Sequence, residues 1–228
     1  MKVKYFTLPN ILTLLNLLCG CVAVMLVFRF GYLQEAFWFV MLGALFDFFD
    51  GFAARLLKQY SPLGKQLDSL ADMVTFGLAP AAMVFVMMLQ AGGGNWSYVA
   101  FLIPLFSALR LAKFNIDEGQ SDSFIGLPTP ANAIFFAALG YLWVGELRFD
   151  PYTLAVIVAL MSWLLIGPIR MFAFKFKDFS FRNNSLRYIF ILVLAAGLAV
   201  FSIKALPAII ILYVFTSVAT HFACRKAG

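Results

Sequence analysis

Two acidic clusters lie close together in this chain: Asp47-Phe48-Phe49-Asp50-Gly51-Phe52-Ala53-Ala54-Arg55 and, after eight residues, Gly64-Lys65-Gln66-Leu67-Asp68-Ser69-Leu70-Ala71-Asp72. The surroundings make them unusual. Of 228 residues, 63% are hydrophobic and 12% charged, and mean hydropathy is +0.92, far above the range of water-soluble domains. A charge inside a membrane segment costs roughly 2.5 to 3.5 kcal/mol on insertion scales, so four gathered carboxylates require a compensating partner, and a divalent cation is the natural one.

On both sides of these clusters, continuous apolar runs exclude the alternating pattern of a membrane barrel and predict an all-α, polytopic transmembrane bundle. Eight spans are expected, at about 9–28, 35–57, 65–90, 97–114, 129–147, 151–172, 186–203 and 205–223, forming one membrane domain over 1–228 with the acidic motifs on helices within 35–90. Prolines 9, 62, 128, 130, 151 and 207 stand near predicted starts, where a missing N–H is tolerated. Pro80, Pro104 and Pro168 fall inside spans and predict kinks or breaks. Met1 to Phe28 is read as a retained first span rather than a signal peptide, because its apolar stretch is long and further spans follow.

Basic residues set the orientation. With both termini in the cytoplasm, Lys2, Lys4, Arg55, Lys58, Lys65, Arg110, Lys113, Arg170 and the later basic residues other than Lys204 fall on the cytoplasmic side; only Arg29, Arg148 and Lys204 fall outside. The acidic stretch then faces the cytoplasm. The net charge of +6 comes from scattered loop residues rather than a basic stripe, so lipid headgroups, not nucleic acid, are the expected partners. The loops at 115–128, with Asp117, Glu118 and Asp122, and at 174–185, with Phe174-Lys175-Phe176-Lys177, are the longest cytoplasmic connections. Cys19, Cys21 and Cys224 form no even framework and read as free thiols.

Residues three or four apart share a helix face. Asp47 with Asp50, and Asp68 with Asp72, therefore make two pairs on neighbouring antiparallel helices joined around Tyr60-Ser61-Pro62. Four oxygen donors without His or Cys suit Mg²⁺ or Mn²⁺, with room for two ions. Gly51, Ala54 and Gly64 leave space for a flat ligand beside the carboxylates, and Arg55 offers a guanidinium suited to phosphate. Ser61 and Lys65 stand where they could touch the same ligand. Within the first span, Thr13 and Asn16 are polar residues that bond either a neighbouring helix or a substrate.

The pattern Asp47-x2-Asp50-Gly51-x2-Ala54-Arg55-x8-Gly64-x3-Asp68-x3-Asp72 resembles, at every position, the signature of the CDP-alcohol phosphatidyltransferases. Pro9-Asn10 to Gly20, Leu67 to Pro80, Leu109-Arg110 to Asn115 and Gly126-Leu127-Pro128-Thr129-Pro130 resemble the serine-accepting branch of that family. The resemblance implies a core of six helices with two added here, two divalent ions on Asp47, Asp50, Asp68 and Asp72, and a homodimer; for a bacterial source the expected location is the cytoplasmic membrane. The implied activity moves a phosphatidyl group from CDP-diacylglycerol to the hydroxyl of L-serine. Asp72 is the expected general base, and Gly51, Ala54, Arg55, Ser61, Gly64 and Asn16 the expected CDP-lipid contacts. Arg110 and Lys113 are expected either to meet the acceptor or a phosphate, or to anchor the helix end. Glycerol 3-phosphate or inositol phosphate as acceptor, and metal transport as a different class of function, remain alternatives at this stage.

Overall fold

The computed structural model describes residues 5–116, 124–145, 147–171, 192 and 194–226. The acidic residues Asp117, Glu118 and Asp122, the 174–185 connection and the start of the span expected at 186–203 lie outside the described residues. Helix α1 is Leu8–Phe30 and α2 is Leu33–Leu56. A long third rod consists of α3 (Pro62–Asp72), a π-helical segment Met73–Leu78 and α4 (Ala79–Gln90). After a 3₁₀ segment Gly94–Phe101 come α5 (Leu102–Ile116), α6 (Thr129–Trp143), α7 (Pro151–Ile166) and α8 (Ala205–Lys226).

Five helical runs are long and apolar enough, by length and composition, to cross a membrane: Leu8–Phe30, Leu33–Leu56, Pro62–Gln90, Gly94–Ile116 and Leu194–Phe222. The protein is a polytopic helical membrane protein. The last run is not one straight rod. Ser202 has a left-handed φ of 51°, and a Cβ on Gly197 would lie 3.5 Å from both Ala205 and Ile209. A continuous helix would separate residues 197 and 209 by about 18 Å, so residues 194–201 fold back on α8. Helices α6 and α7, with 15 and 16 residues, are shorter than the roughly 20 residues typical of a helix that crosses the hydrocarbon core.

The prolines explain several boundaries. Thr7 caps α1 and Ser61 caps α3 through their side chains, each with a proline in the first helical turn. The span expected to reach residue 172 stops at Ile166, because Pro168 offers no N–H and disfavours helical backbone at Gly167. Pro104 sits in the first turn of α5 rather than mid-span. Pro80 follows the π-helical segment, which is the local break in the third rod.

One small pairing departs from the all-α expectation. Phe124 and Ile125 pair antiparallel with Met171 and Arg170, and the amides of Gly126 and Leu127 donate to the carbonyls of Ile169 and Leu164. Gly126 has φ +82°, and a Cβ there would lie 2.2 Å from the Leu165 carbonyl oxygen. This clip ties the start of α6 to the end of α7. The core is apolar and centred on α4 and α6, where Met83, Met87, Phe136 and Ala138 are fully shielded.

Candidate active site

Helices α1 and α2 form the most extensive pairing, and α3 packs back against α1. That arrangement brings the end of α2 and the start of α3 to the end of the bundle where α1 begins. Asp47, Asp50 and Asp68 offer ligand oxygens that all lie within 4.8 Å of one another. Asp50 is 6% exposed and Asp72 7%. Asp72 stands outside that trio, yet close enough for its charge to interact with all three.

Each of the two most buried carboxylates is held by a side chain of α1. The Thr13 hydroxyl donates to Asp50 Oδ2 at 2.6 Å, and Asn16 Nδ2 donates to Asp72 Oδ1 at 3.2 Å. Thr75, in the π-helical segment, donates to the Asn16 carbonyl at 2.9 Å. A π turn re-aims the residues around it, and here it seats Thr75 between α1 and α2. The glycines make the approach possible: a Cβ on Gly20 would lie 2.5 Å from Thr75 Oγ1, and one on Gly43 would lie 2.6 Å from Thr75 Cγ2.

The carboxylate chemistry fits a divalent cation. Three carboxylates at this spacing repel unless positive charge lies between them, and Asp68 Oδ1 is buried without a hydrogen-bond partner. Hard oxygen donors without imidazole or thiolate match an oxygen-seeking ion rather than zinc. Asp47, Asp50 and Asp68 could therefore hold a metal.

Beside the trio opens a cavity of about 600 Å³, lined among others by Asn10, Thr13, Asp50, Gly51, Ala54, Ser61, Gly64, Lys65 and Asp68, a volume typical of small-molecule sites. A Cβ on Gly51 would meet nothing within 4 Å, so any larger side chain would occupy open space here. Gly64 has a packing reason as well: its Cβ would lie 3.1 Å from Ser61 Oγ and 3.2 Å from Asn10 Oδ1. Arg55 is exposed and does not line the cavity; its Nε donates to the Gly51 carbonyl at 3.0 Å. Asn16 does not line it either and is turned to Asp72. Lys65 Nζ donates to the Asn115 carbonyl at 2.8 Å, joining α3 to α5.

Arg110 and Lys113 differ in exposure. Arg110 Nη1 donates to Thr129 Oγ1 at 2.8 Å, its charge interacts with that of Asp72, and it lies near Tyr213. Lys113 is exposed. Sequence reasoning missed Thr75, Thr129 and Tyr213. The signal available for Thr13 was its place in a polar series, Asn10, Thr13, Asn16, at three-residue spacing in an otherwise apolar helix.

Thr13→Val is expected to leave Asp50 without its hydroxyl donor and to weaken activating metal by about tenfold, as for other groups that orient metal ligands. Titrating activity with Mn²⁺ measures this, and an unchanged half-saturation would show that Thr13 does not orient Asp50.

A sequence profile of the CDP-alcohol phosphatidyltransferase family matches residues 6–174. The chain belongs to this family. It is 32% identical over 168 residues to the CDP-diacylglycerol–serine O-phosphatidyltransferase of Bacillus subtilis, covering 74% of this chain and 91% of that protein. The Saccharomyces cerevisiae protein of the same name is 34% identical over 161 residues, covering 63% of this chain and 56% of its own. The archaetidylserine synthase of Methanothermobacter thermautotrophicus is 32% identical over 167 residues, covering 70% and 69%. This chain is thus a membrane-embedded CDP-alcohol phosphatidyltransferase, a family that uses a divalent metal.

Proposed function

We propose that this phosphatidyltransferase uses CDP-diacylglycerol as donor and L-serine as acceptor, giving phosphatidylserine and CMP. The observation that carries the reading is the position of Asp72, a buried carboxylate oriented by Asn16, flanked by the acidic trio and by the half-buried cation Arg110. The names of the relatives support serine as acceptor.

In this reading the diphosphate headgroup lies in the cavity beside Gly51, Ala54, Ser61 and Gly64, with Arg55 at its rim. The serine oxygen forms a bond to the lipid-proximal phosphorus, and the bond from that phosphorus to the bridging oxygen breaks, its electron pair leaving with CMP. Asp72 takes the proton of the serine hydroxyl. Bound at Asp47, Asp50, Asp68 and Asp72, a pair of Mg²⁺ or Mn²⁺ ions supplies positive charge that stabilises the transferring phosphoryl group. Arg110 meets the serine carboxylate, with Lys113 drawing anions toward the site.

The accompanying topology is a single domain over 1–228 with eight passes, both termini and the site on the cytoplasmic side of a bacterial cell membrane, and a homodimeric assembly. Water-soluble serine and a membrane lipid then both reach the carboxylates.

The test is CMP release by purified protein given CDP-diacylglycerol, Mn²⁺ and serine. CMP is expected with serine, lost with EDTA and restored by excess Mn²⁺. CMP with glycerol 3-phosphate but not serine would overturn the acceptor. Absence of CMP with every acceptor would overturn the donor chemistry.

A further inference from the structure

On α5 and α6, four buried polar atoms lack a partner among the described residues: Ser107 Oγ, Arg110 Nε and both side-chain polar atoms of Asn132. Ser107 and Asn132 are 0% exposed. Buried polar groups in native proteins are nearly always bonded, so a fully buried amide using neither donor nor acceptor asks for an occupant. A polar group at membrane depth points the same way.

Helical spacing from one tie sets these residues at one level of the bundle. The Arg110–Thr129 hydrogen bond ties α5 to α6. Helix α5 arrives at this end of the bundle and α6 departs from it. Ser107, three residues before Arg110, and Asn132, three residues after Thr129, therefore both lie one turn deeper, on the faces that carry the tie. The π-helical segment that follows Asp72 borders the same place, since a Cβ on Gly77 would stand 3.5 Å from Ser107 Cβ. The Asp72 charge also acts on Arg110.

We propose that Asn132 is a specificity-determining residue that reads the acceptor as a zwitterion. An amide offers one acceptor and two donors. Its oxygen accepts from the α-ammonium of a small hydroxy amino acid, while its NH₂ group and Arg110 Nε donate to the carboxylate and Ser107 closes the floor. A phosphomonoester acceptor puts phosphate oxygens, which only accept when ionised, where the ammonium would stand and leaves the amide carbonyl without that donor, so the same residue selects against it. The inference rests on the serine reading above and adds the residue that enforces it.

The experiment compares serine with 3-hydroxypropanoate, which lacks the ammonium, and ethanolamine, which lacks the carboxylate, as competitors in CMP release. The wild type is expected to hold serine at least tenfold more tightly than 3-hydroxypropanoate. In Asn132→Leu the serine KM is expected to rise at least tenfold, the gap to close, and the KM for CDP-diacylglycerol to stay unchanged. Asn132→Asp keeps an acceptor but loses the donors, and is expected to weaken 3-hydroxypropanoate about tenfold relative to ethanolamine; it decides the matter if the Leu variant does not fold. A serine preference that survives in Asn132→Leu, or an unchanged competitor ratio in Asn132→Asp, would overturn the inference while wild-type turnover of serine left the acceptor reading standing. A wild type that turns over glycerol 3-phosphate and not serine would overturn both.

Discussion

Asp72→Asn is expected to lower kcat by about a thousandfold while CDP-diacylglycerol still binds. The substitution keeps the shape of the side chain and removes its negative charge together with its ability to take a proton. Asparagine matches aspartate in size, and its carbonyl oxygen can still accept the bond from Asn16 Nδ2 that Asp72 accepts at 3.2 Å. The carboxylates nearest one another, Asp47, Asp50 and Asp68, are untouched. A positioned general base contributes about 10² to 10⁴ in rate, which sets the size of the loss. Single-turnover CMP release together with equilibrium binding of a CDP-lipid separates the two quantities. Activity within tenfold of the wild type would place the base elsewhere. Loss of CDP-lipid binding in parallel with kcat would instead make Asp72 chiefly a ligand for the metal that holds the donor.

Gly20→Ala is expected to destabilise the protein by about 1–3 kcal/mol, the usual range for a side chain forced into filled space, and to remove most activity although Gly20 touches no substrate. The added Cβ would lie 2.5 Å from Thr75 Oγ1, 2.8 Å from Thr75 Cα and 2.9 Å from Thr75 N. Two of those atoms are backbone, so a change of rotamer cannot relieve the clash. The π-helical segment would have to move away from α1, stretching the Thr75 bond to the Asn16 carbonyl and with it the contact from Asn16 to Asp72. Thermal unfolding in detergent and kcat measured on the same preparation check both effects. An unchanged unfolding midpoint would mean that α1 and the π-helical segment slide past each other freely. A lowered midpoint with normal kcat would mean that Thr75 does not position Asp72.

The acids of the site were legible in the sequence, because four carboxylates in so apolar a chain are too costly to keep unless they gather around a shared positive charge. Thr13 and Asn16 were legible as polar residues that needed partners. Their actual partners were not, since Asp50 is 37 residues from Thr13 and Asp72 is 56 from Asn16, and only packing of α1 against α2 and α3 chooses them. Arg110 and Lys113 read alike as basic residues at one helix end, yet one ties to Thr129 and the other faces outward. The end of α7 was misplaced by several residues, because hydropathy runs on past Ile166 while backbone geometry at Gly167-Pro168 does not. Residues 194–201 were expected to precede a turn at residue 204, and the reversal at Ser202 folds them against α8.

By itself the sequence determined that this is a helical membrane protein, which family it resembles, and that Asp47, Asp50, Asp68 and Asp72 would gather. Those properties follow from composition and from helical spacing, which are local. The tertiary structure alone decided that α1 supplies the hydrogen bonds holding Asp50 and Asp72, that glycines at 20 and 43 admit Thr75 between them, and that polar atoms of Ser107, Arg110 and Asn132 are buried without a partner among the described residues. Such contacts depend on where helix axes cross, and that is fixed by the summed packing of the whole bundle rather than by any short stretch of the chain.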